Sequence, residues 1–420
     1  MRILVVGSGA REHALVYKLA QDHDVICAPG NPGIALDGEI VSIAASEHAE
    51  LIELARKRSI DLVVIGPEDP LIAGLADRFE SEGFATYGPS GAAAQLEGSK
   101  AFSKSMMAEA GIPTASFELF SDWKLAGEYA KKAYGEGLSL AVKASGNALG
   151  RGVAVCESLE DALDAIEGAM VRKEFGRAGE TVVLERLMRG REFSLLTLVG
   201  EQNYVSLPIA QDYKRAHDGD TGPNTGGLGS YSPCPWALDS LVSEVEDRMV
   251  RPILAKLREV GAPFRGTLFT GVMVTENGPQ CLEYNVRFGD PETQSIMMRL
   301  DGDFGQSLLE SATGAKIGPL SVLDRAAVTV VVASSGYPGA YLKGAPISLG
   351  PISSESKLFY AGVAERGGAL VSSGGRVFSA CGTGATIEEA RQAAYAAAGA
   401  VSFEGCYVRS DIALPTGLSA

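Results

Sequence analysis

Residues 2–6 (RILVV) read as a buried strand whose apolar run, residues 3–6, stops at a glycine turn, and from Glu12 the apolar positions recur with helical spacing. The same alternation continues. Residues 25–28 read as a strand before the loop APGNPG, residues 51–57 as a helix, and residues 61–65 (DLVVI) as a strand that ends at GPEDP. Strands alternating with helices predict a parallel sheet covered on both faces, here over residues 1–97. Such sheets bind ligands beyond the carboxyl ends of their strands, and the acidic Glu68 falls at that edge. Gly7-x-Gly9 after the first strand is half of a dinucleotide fingerprint, but the third glycine would fall at Glu12, so the full motif fails. A strand–glycine–helix turn still presents free amides suited to a phosphate or ribose, Gly9 among them.

The pattern changes at Ser99. A helix over residues 100–110 stops at Gly111, with Pro113 beyond it. A compact α+β unit then spans about residues 118–190, with helices at 123–133 and 159–170 and strands at 139–143, 152–156 and 181–185. Strands at 192–199 and 204–207 lead to a polar, glycine-rich loop from 211 to 232, and a helix is expected over 241–260. Asn277-Gly278 between two apolar runs predicts a hairpin of residues 268–275 and 280–286. A last unit begins near residue 319. Three regions are therefore expected: 1–97, 98–318 and 319–420. The fold class is multidomain α/β and α+β, with a small C-terminal α/β domain.

A net charge of −15 argues against a protein that grips nucleic-acid phosphates over a wide surface. The six cysteines are scattered without a C-x-x-C pair, which points away from a disulfide framework and towards a reducing compartment. No apolar run has the length of a membrane span or the form of a signal peptide, so a cytoplasmic protein without membrane partners is expected. Fifty-one glycines suit many tight turns and close backbone approaches to a ligand.

The second hairpin strand carries Glu283, Asn285 and Arg287. A spacing of two puts them on one face, with Leu282, Tyr284 and Val286 on the other. Carboxylate and carboxamide oxygens side by side suit Mg²⁺, or Mn²⁺, completed by water and phosphate oxygens. Arg287 on the same face can neutralise a transferring phosphate or hold a carboxylate in its fork.

Asn285–Gln294 (NVRFGDPETQ) resembles the signature of the glycinamide ribonucleotide synthetase family, a branch of the ATP-grasp superfamily. GSGAREHAL (from Gly7), APGNPG (from Ala28), IGPEDPL (from Ile65), AAQLEGSKAFSK (from Ala93) and DTGPNTGGLGSYSP (from Asp220) agree with it. So do GYPGAY, SSGGRV and FEGCYVRSDI near the C-terminus, so the resemblance runs the length of the chain. It implies an N-terminal pre-ATP-grasp domain, a two-lobed ATP-grasp region whose lid is the unit at 118–190, and a C-terminal domain. It also implies a monomer acting on ATP, glycine and 5-phosphoribosylamine.

The resemblance implies roles residue by residue. Lys100 and Lys143 would contact phosphates, Lys143 also during the reaction, together with the loop containing Gly150 and Gly152. Glu185 would belong to the ATP site, Leu187 just after it would offer a backbone amide to adenine, and Glu192 would take the ribose hydroxyls. Arg11, Glu68 and Asp290 would line the phosphoribosyl site, with Arg376 reaching its phosphate. Asp212 and Lys214 would face substrate, Arg287 would be catalytic as well as substrate-binding, and Glu283 and Asn285 would hold the metal. The chain departs from the family pattern at Ala10, Ser145, Asn147, Leu149, Arg151 and Arg186. Beside the family's own ligase reaction, two alternatives stay open. One is a related ligase for another amino acid or amine; the other is a nucleotide-binding relative without turnover.

Overall fold

The computed structural model of the chain describes residues 1–146 and 152–414. Five parallel strands open it: β1 (Arg2–Gly7), β2 (Asp24–Pro29), β3 (Glu39–Ile40), β4 (Leu62–Ile65) and β5 (Thr86–Tyr87), in the order β3-β2-β1-β4-β5. The run Ile3–Val6 is wholly buried because both faces of the sheet are covered. Leu4 and Val6 join one apolar cluster, while Ile3 and Val5 join another. Glu68, just past the carboxyl end of β4, begins a short helix, Glu68–Ile72.

Helices Gly91–Gly98 and Lys100–Glu109 meet at Ser99, whose hydroxyl accepts from the Phe102 amide and caps the second. The unit expected as the lid follows as an antiparallel sheet of β6 (Phe117–Phe120), β7 (Leu140–Ala144), β8 (Val153–Cys156) and β9 (Val182–Arg186), in the order β6-β9-β7-β8. Helices Trp123–Gly135 and Leu159–Met170 pack on it through Ala126, Ala130, Ala162 and Ile166, which give the lid a core of its own.

Beyond the lid come β10 (Arg191–Val199), β11 (Tyr204–Ser206), β12 (Gln211–Asp212), β13 (Arg215–His217), β14 (Thr221–Asn224), β15 (Gly229–Ser232), β16 (Gly266–Thr275) and β17 (Gly278–Asn285). The order β11-β10-β16-β17 forms the second lobe, and Asn277-Gly278 makes the hairpin turn between its last two strands. The single helix expected over 241–260 is two helices, Asp239–Val245 and Arg251–Glu259, joined by a wide π turn at Glu246–Val250. Pro252, without an N–H, cannot donate into a regular α ladder there.

The C-terminal strands Ala326–Ser334, Arg376–Gly384 and Ser356–Tyr360 do not form a separate sheet. β15 pairs with Ala326–Ser334 and β12 with β15, so one sheet joins the glycine-rich region 211–232 to the last unit. That unit also docks on the first. His13 is fully buried, accepts from the Tyr360 amide at 2.8 Å through Nδ1, and lies 2.9 Å from Asp37 through Nε2. Asp37 in turn meets Lys357 at 2.7 Å. His13 is thus a structural contact between units.

Candidate active site

Glu185, near the end of β9, is buried and lies between two lysines, Lys143 on β7 at 2.5 Å and Lys104 at 2.7 Å. Burial works to raise its pKa, but Lys143 and Lys104 outweigh burial and hold it lowered. Lys104 projects from helix Lys100–Glu109, is itself held by Thr114 at 2.7 Å, and has its pKa lowered mainly by burial. Lys100, at the start of that helix, is also pushed down by burial, with Glu283 opposing. Ser145 ties the lid to the same helix end. Its carbonyl accepts from the Lys100 amide at 2.6 Å and its hydroxyl from the Ala101 amide at 3.0 Å. Gly152 is buried, and its carbonyl accepts from Ala144. Gly150, with Asn147, Leu149 and Arg151, lies outside the described residues.

Two backbone amides expected to be free are engaged. The Leu187 amide donates to the Ser139 carbonyl at 2.9 Å, because pairing between the ends of β9 and β7 continues one residue further. An adenine could use that amide only by displacing the bond. The Gly9 amide donates to the Glu12 carboxylate at 2.7 Å. Glu12, the residue that breaks the fingerprint, therefore caps the first turn of helix Ala10–Leu19 and fills the place where an anion would approach. Gly7 and Gly66 make room for it: a Cβ on Gly7, at φ +134°, would stand 2.5 Å from the Glu12 side chain, and one on Gly66 would stand 2.2 Å away.

At the hairpin, Glu283 and Asn285 share β17, but the strand ends at Asn285 and Arg287 lies just past it. Alternation holds from Glu283 onward, with Tyr284 and Val286 in the core. Leu282 departs from it, being only half-buried, because a register shift opposite Gly271 and Val272 leaves it in a bulge. Burial would raise the Glu283 pKa, yet Lys214, Lys143, Lys100 and Arg287 hold it lowered. An anionic carboxylate beside a carboxamide is a hard-oxygen donor pair that fits Mg²⁺ or Mn²⁺. Among the described residues no three of His, Cys, Asp and Glu converge on a metal position, so water and phosphate oxygens would complete the shell.

Lys214 stands at the hub of a carboxylate cluster. It meets Glu192 on β10 at 3.0 Å and Asp212 on β12 at 4.0 Å. Burial lifts the Asp212 carboxyl to about 8; Lys214 opposes this, while Glu292, Glu192 and Glu283 reinforce it. Glu292, near the start of helix Glu292–Met297, is also raised by burial and accepts from the Ser194 hydroxyl at 2.9 Å. Glu192, expected at ribose, faces Lys214.

A second chain of charges crosses from the first sheet to the hairpin. Arg11 contacts Glu12 at 2.6 Å and Glu68 at 3.8 Å; Arg287 contacts Glu68 at 3.4 Å and Glu97 at 2.9 Å. Burial alone would raise Glu68, but Arg287 and Arg11 hold it down at about 2. Beyond these, Arg376 Nη2 meets Asp290 at 2.8 Å and its Nη1 donates to the Gly226 carbonyl at 2.6 Å. Arg376, Asp290 and the glycine loop thus converge, as do Arg11, Glu68 and Arg287.

Sequence reasoning missed Lys104, Glu97 and Glu292. Lys104 and Glu97 lie in the quoted segment AAQLEGSKAFSK, and Glu292 lies in FGDPETQ, but each reads as a helix-surface charge until the facing elements are known.

Family models described as phosphoribosylglycinamide synthetase match in order: the N domain over residues 1–97, the ATP-grasp domain over 98–293 and the C domain over 327–415. A phosphoribosylamine–glycine ligase of Rhizobium meliloti is 46% identical over 417 residues, 98% of each chain. Its counterpart in Streptococcus pneumoniae strain R6 is 41% identical, over 98% of this chain and 99% of that one. The crystal structure of the Thermotoga maritima phosphoribosylamine–glycine ligase superposes with a TM-score of 0.81 at 35% identity, covering 98% of this chain and all of that one. A biotin carboxylase domain of Hydrogenobacter thermophilus shares the fold, with a TM-score of 0.72 at 16% identity over 97% and 91% of the two chains. On the evidence of three successive domain matches and relatives aligned over nearly its whole length, the chain belongs to the phosphoribosylglycinamide synthetase family.

Proposed function

We propose that the chain is an ATP-dependent ligase that joins glycine to 5-phosphoribosylamine, giving glycinamide ribonucleotide, ADP and phosphate. The observation that carries this reading is the match of all three phosphoribosylglycinamide synthetase domains in order, beside a Glu283 carboxylate that Lys214, Lys143, Lys100 and Arg287 hold anionic. That arrangement suits a nucleotide triphosphate and a carboxylate brought together with a cation. In the first step a glycine carboxylate oxygen attacks the γ-phosphorus and the bond to ADP breaks, leaving glycyl phosphate. In the second the amine lone pair attacks the acyl carbon, the bond to phosphate breaks, and the amine gives up a proton.

Neither step needs a protein nucleophile. Lys100 and Lys143 would bind the phosphates, and Arg287 would hold the glycine carboxylate or the transferring oxygens. A divalent cation on Glu283 and Asn285 would supply charge neutralisation at the phosphate oxygens. Glu185 would orient Lys143 and Lys104. Glu192 would exchange Lys214 for the ribose hydroxyls, and Leu187 would meet adenine after its amide leaves Ser139. Closing the lid over residues 118–190 would exclude water from the acyl phosphate. Arg11, Glu68, Asp290 and Arg376 would receive the phosphoribosyl group, with Asp212 and Lys214 facing substrate beside its amine. We assign residues 1–97, 98–318 and 319–420 as the three domains, acting as a cytoplasmic monomer on small molecules.

The test is ADP release with MgATP, glycine and freshly made phosphoribosylamine, each omitted in turn. Turnover needing all three is expected. Turnover that requires a different amino acid or amine would overturn the reading.

A further inference from the structure

The hairpin of β13 and β14 carries no group placed in the reaction, yet the C-terminal segment 407–413 grips it along its length. Arg409 has a side chain with no exposure. Its guanidinium forks onto Asp411 at 2.8 and 2.7 Å, and Nη1 donates to the Arg215 carbonyl at 2.9 Å and to Asp220 at 3.0 Å. Its Cζ lies 5.0 Å from the centroid of the Tyr213 ring, over its face. The neighbours of Arg409 repeat the pattern. Asp411 accepts from the Gly219 amide at 2.9 Å, and Ser410 bonds Asp218 through both its amide and its hydroxyl. Tyr407 donates to the Ala216 carbonyl at 2.7 Å, and the Ala413 amide donates to the Tyr213 hydroxyl at 3.0 Å.

The segment is itself fixed from behind. Helix Ile387–Gly399 sends Tyr395 to the Arg409 carbonyl at 2.7 Å and Arg391 to the carbonyls of Ser410 and Ile412. A rigid anchor therefore holds both ends of a short span. At one end Tyr213 stacks on Arg409 and precedes Lys214, whose carbonyl accepts from the Thr225 amide at 2.8 Å. At the other end Thr225 precedes Gly226, whose carbonyl Arg376 grips. Lys214 and the Gly226–Arg376–Asp290 group are the two places where the hairpin's ends enter the site.

We propose that Arg409 is a positioning residue for acyl transfer, setting the hairpin so that Lys214 and the Gly226–Arg376 pair face the phosphoribosylamine together. This rests on the ligase reading above. A guanidinium is required because only its fork binds Asp411 in two places while its other nitrogen spans Arg215 and Asp220. Loss of the fork lets the hairpin shift without disturbing Lys100, Lys143 or Glu185, which lie on other elements. The expected signature is a defect that falls far more on the amine substrate than on MgATP, although Lys214 also meets Glu192.

The experiment uses the full chain with Arg409→Met, Arg409→Lys and Ser410→Ala. With Arg409→Met, kcat/KM for phosphoribosylamine falls at least 10-fold while the MgATP dissociation constant stays within twofold. Arg409→Lys recovers part of the loss, and Ser410→Ala loses about threefold. Should Arg409→Met fail to fold, the other two variants decide by the same comparison. A kcat/KM within twofold of wild type would overturn the proposal, as would a loss matched by equal weakening of MgATP. If the wild type itself turns over no phosphoribosylamine, the ligase reading fails. Amide exchange at Gly219 and Thr225 then judges the anchor, with faster exchange in Arg409→Lys supporting it and unchanged exchange refuting it.

Discussion

Replacing Glu185 by Gln would leave Lys104 and Lys143 facing each other across a buried gap with no anion between them. At 2.7 and 2.5 Å each ion pair has a gross Coulomb attraction of about 6 kcal/mol at an effective dielectric near 20, most of it cancelled by desolvation. Removing one partner of a buried pair typically costs about 3–5 kcal/mol, and the carboxamide retains some hydrogen bonding, so a cost of about 3 kcal/mol is expected. Lys104→Met leaves Glu185 paired with Lys143 and should cost about 1–2 kcal/mol. In the double variant the residual repulsion disappears, so its cost should stay near 3 kcal/mol, a coupling of about 1–2 kcal/mol. A chain of several units does not unfold in one step, so the opening free energy is best read locally. Native-state amide exchange at Val142 and Leu184, which pair across β7 and β9, provides that reading. Costs that add to within about 0.5 kcal/mol would show that the two lysines act independently on Glu185, and the triad would lose its standing as a unit.

Glu283→Gln should lower kcat by about 10²–10³-fold, as loss of a preorganised charge does, with the fold retained by circular dichroism; unchanged turnover at limiting Mg²⁺ would remove Glu283 from the metal position. Glu68 has its pKa lowered from 4.5 to about 2, which corresponds to about 3 kcal/mol of stabilisation. A depressed carboxyl contributes fully above its unfolded value and loses that contribution as the pH falls through the folded one. Glu68→Gln should therefore flatten the stability–pH curve between about 4.5 and 2, which acid titration followed by circular dichroism would detect. Gly66→Ala drives a methyl group into the Glu12 carboxylate, 2.2 Å away, and should destabilise the first domain by about 1–3 kcal/mol. A thermal midpoint equal to wild type would refute that clash.

How far the sequence could be read depended on whether a residue's partners were local. β1 was legible because an apolar run before a glycine turn needs no distant information, and the Asn277-Gly278 turn fixed the β16–β17 pairing. Glu283 and Asn285 were legible for the same reason, since a two-residue spacing on one strand is a local fact. The bulge at Leu282 was not, because it depends on where Gly271 and Val272 fall on the facing strand. Lys104 is the sharpest case. On its helix it is an ordinary lysine; its burial follows from the approach of Glu185 on β9 and Thr114 before β6. The amides of Gly9 and Leu187 failed in the opposite sense. A turn or strand end offers free N–H groups only if nothing nearby claims them, and here the Glu12 side chain and the Ser139 carbonyl do. Glu12 makes the physical point concrete. The residue that broke a dinucleotide fingerprint on paper is, in space, the acid that fills that fingerprint's anion position and fixes Arg11 beside it at 2.6 Å. The first domain therefore presents a guanidinium held by Glu12 and Glu68, rather than a bare helix end, to whatever enters at its carboxyl edge. A nicotinamide dinucleotide would have to displace a buried carboxylate to bind there.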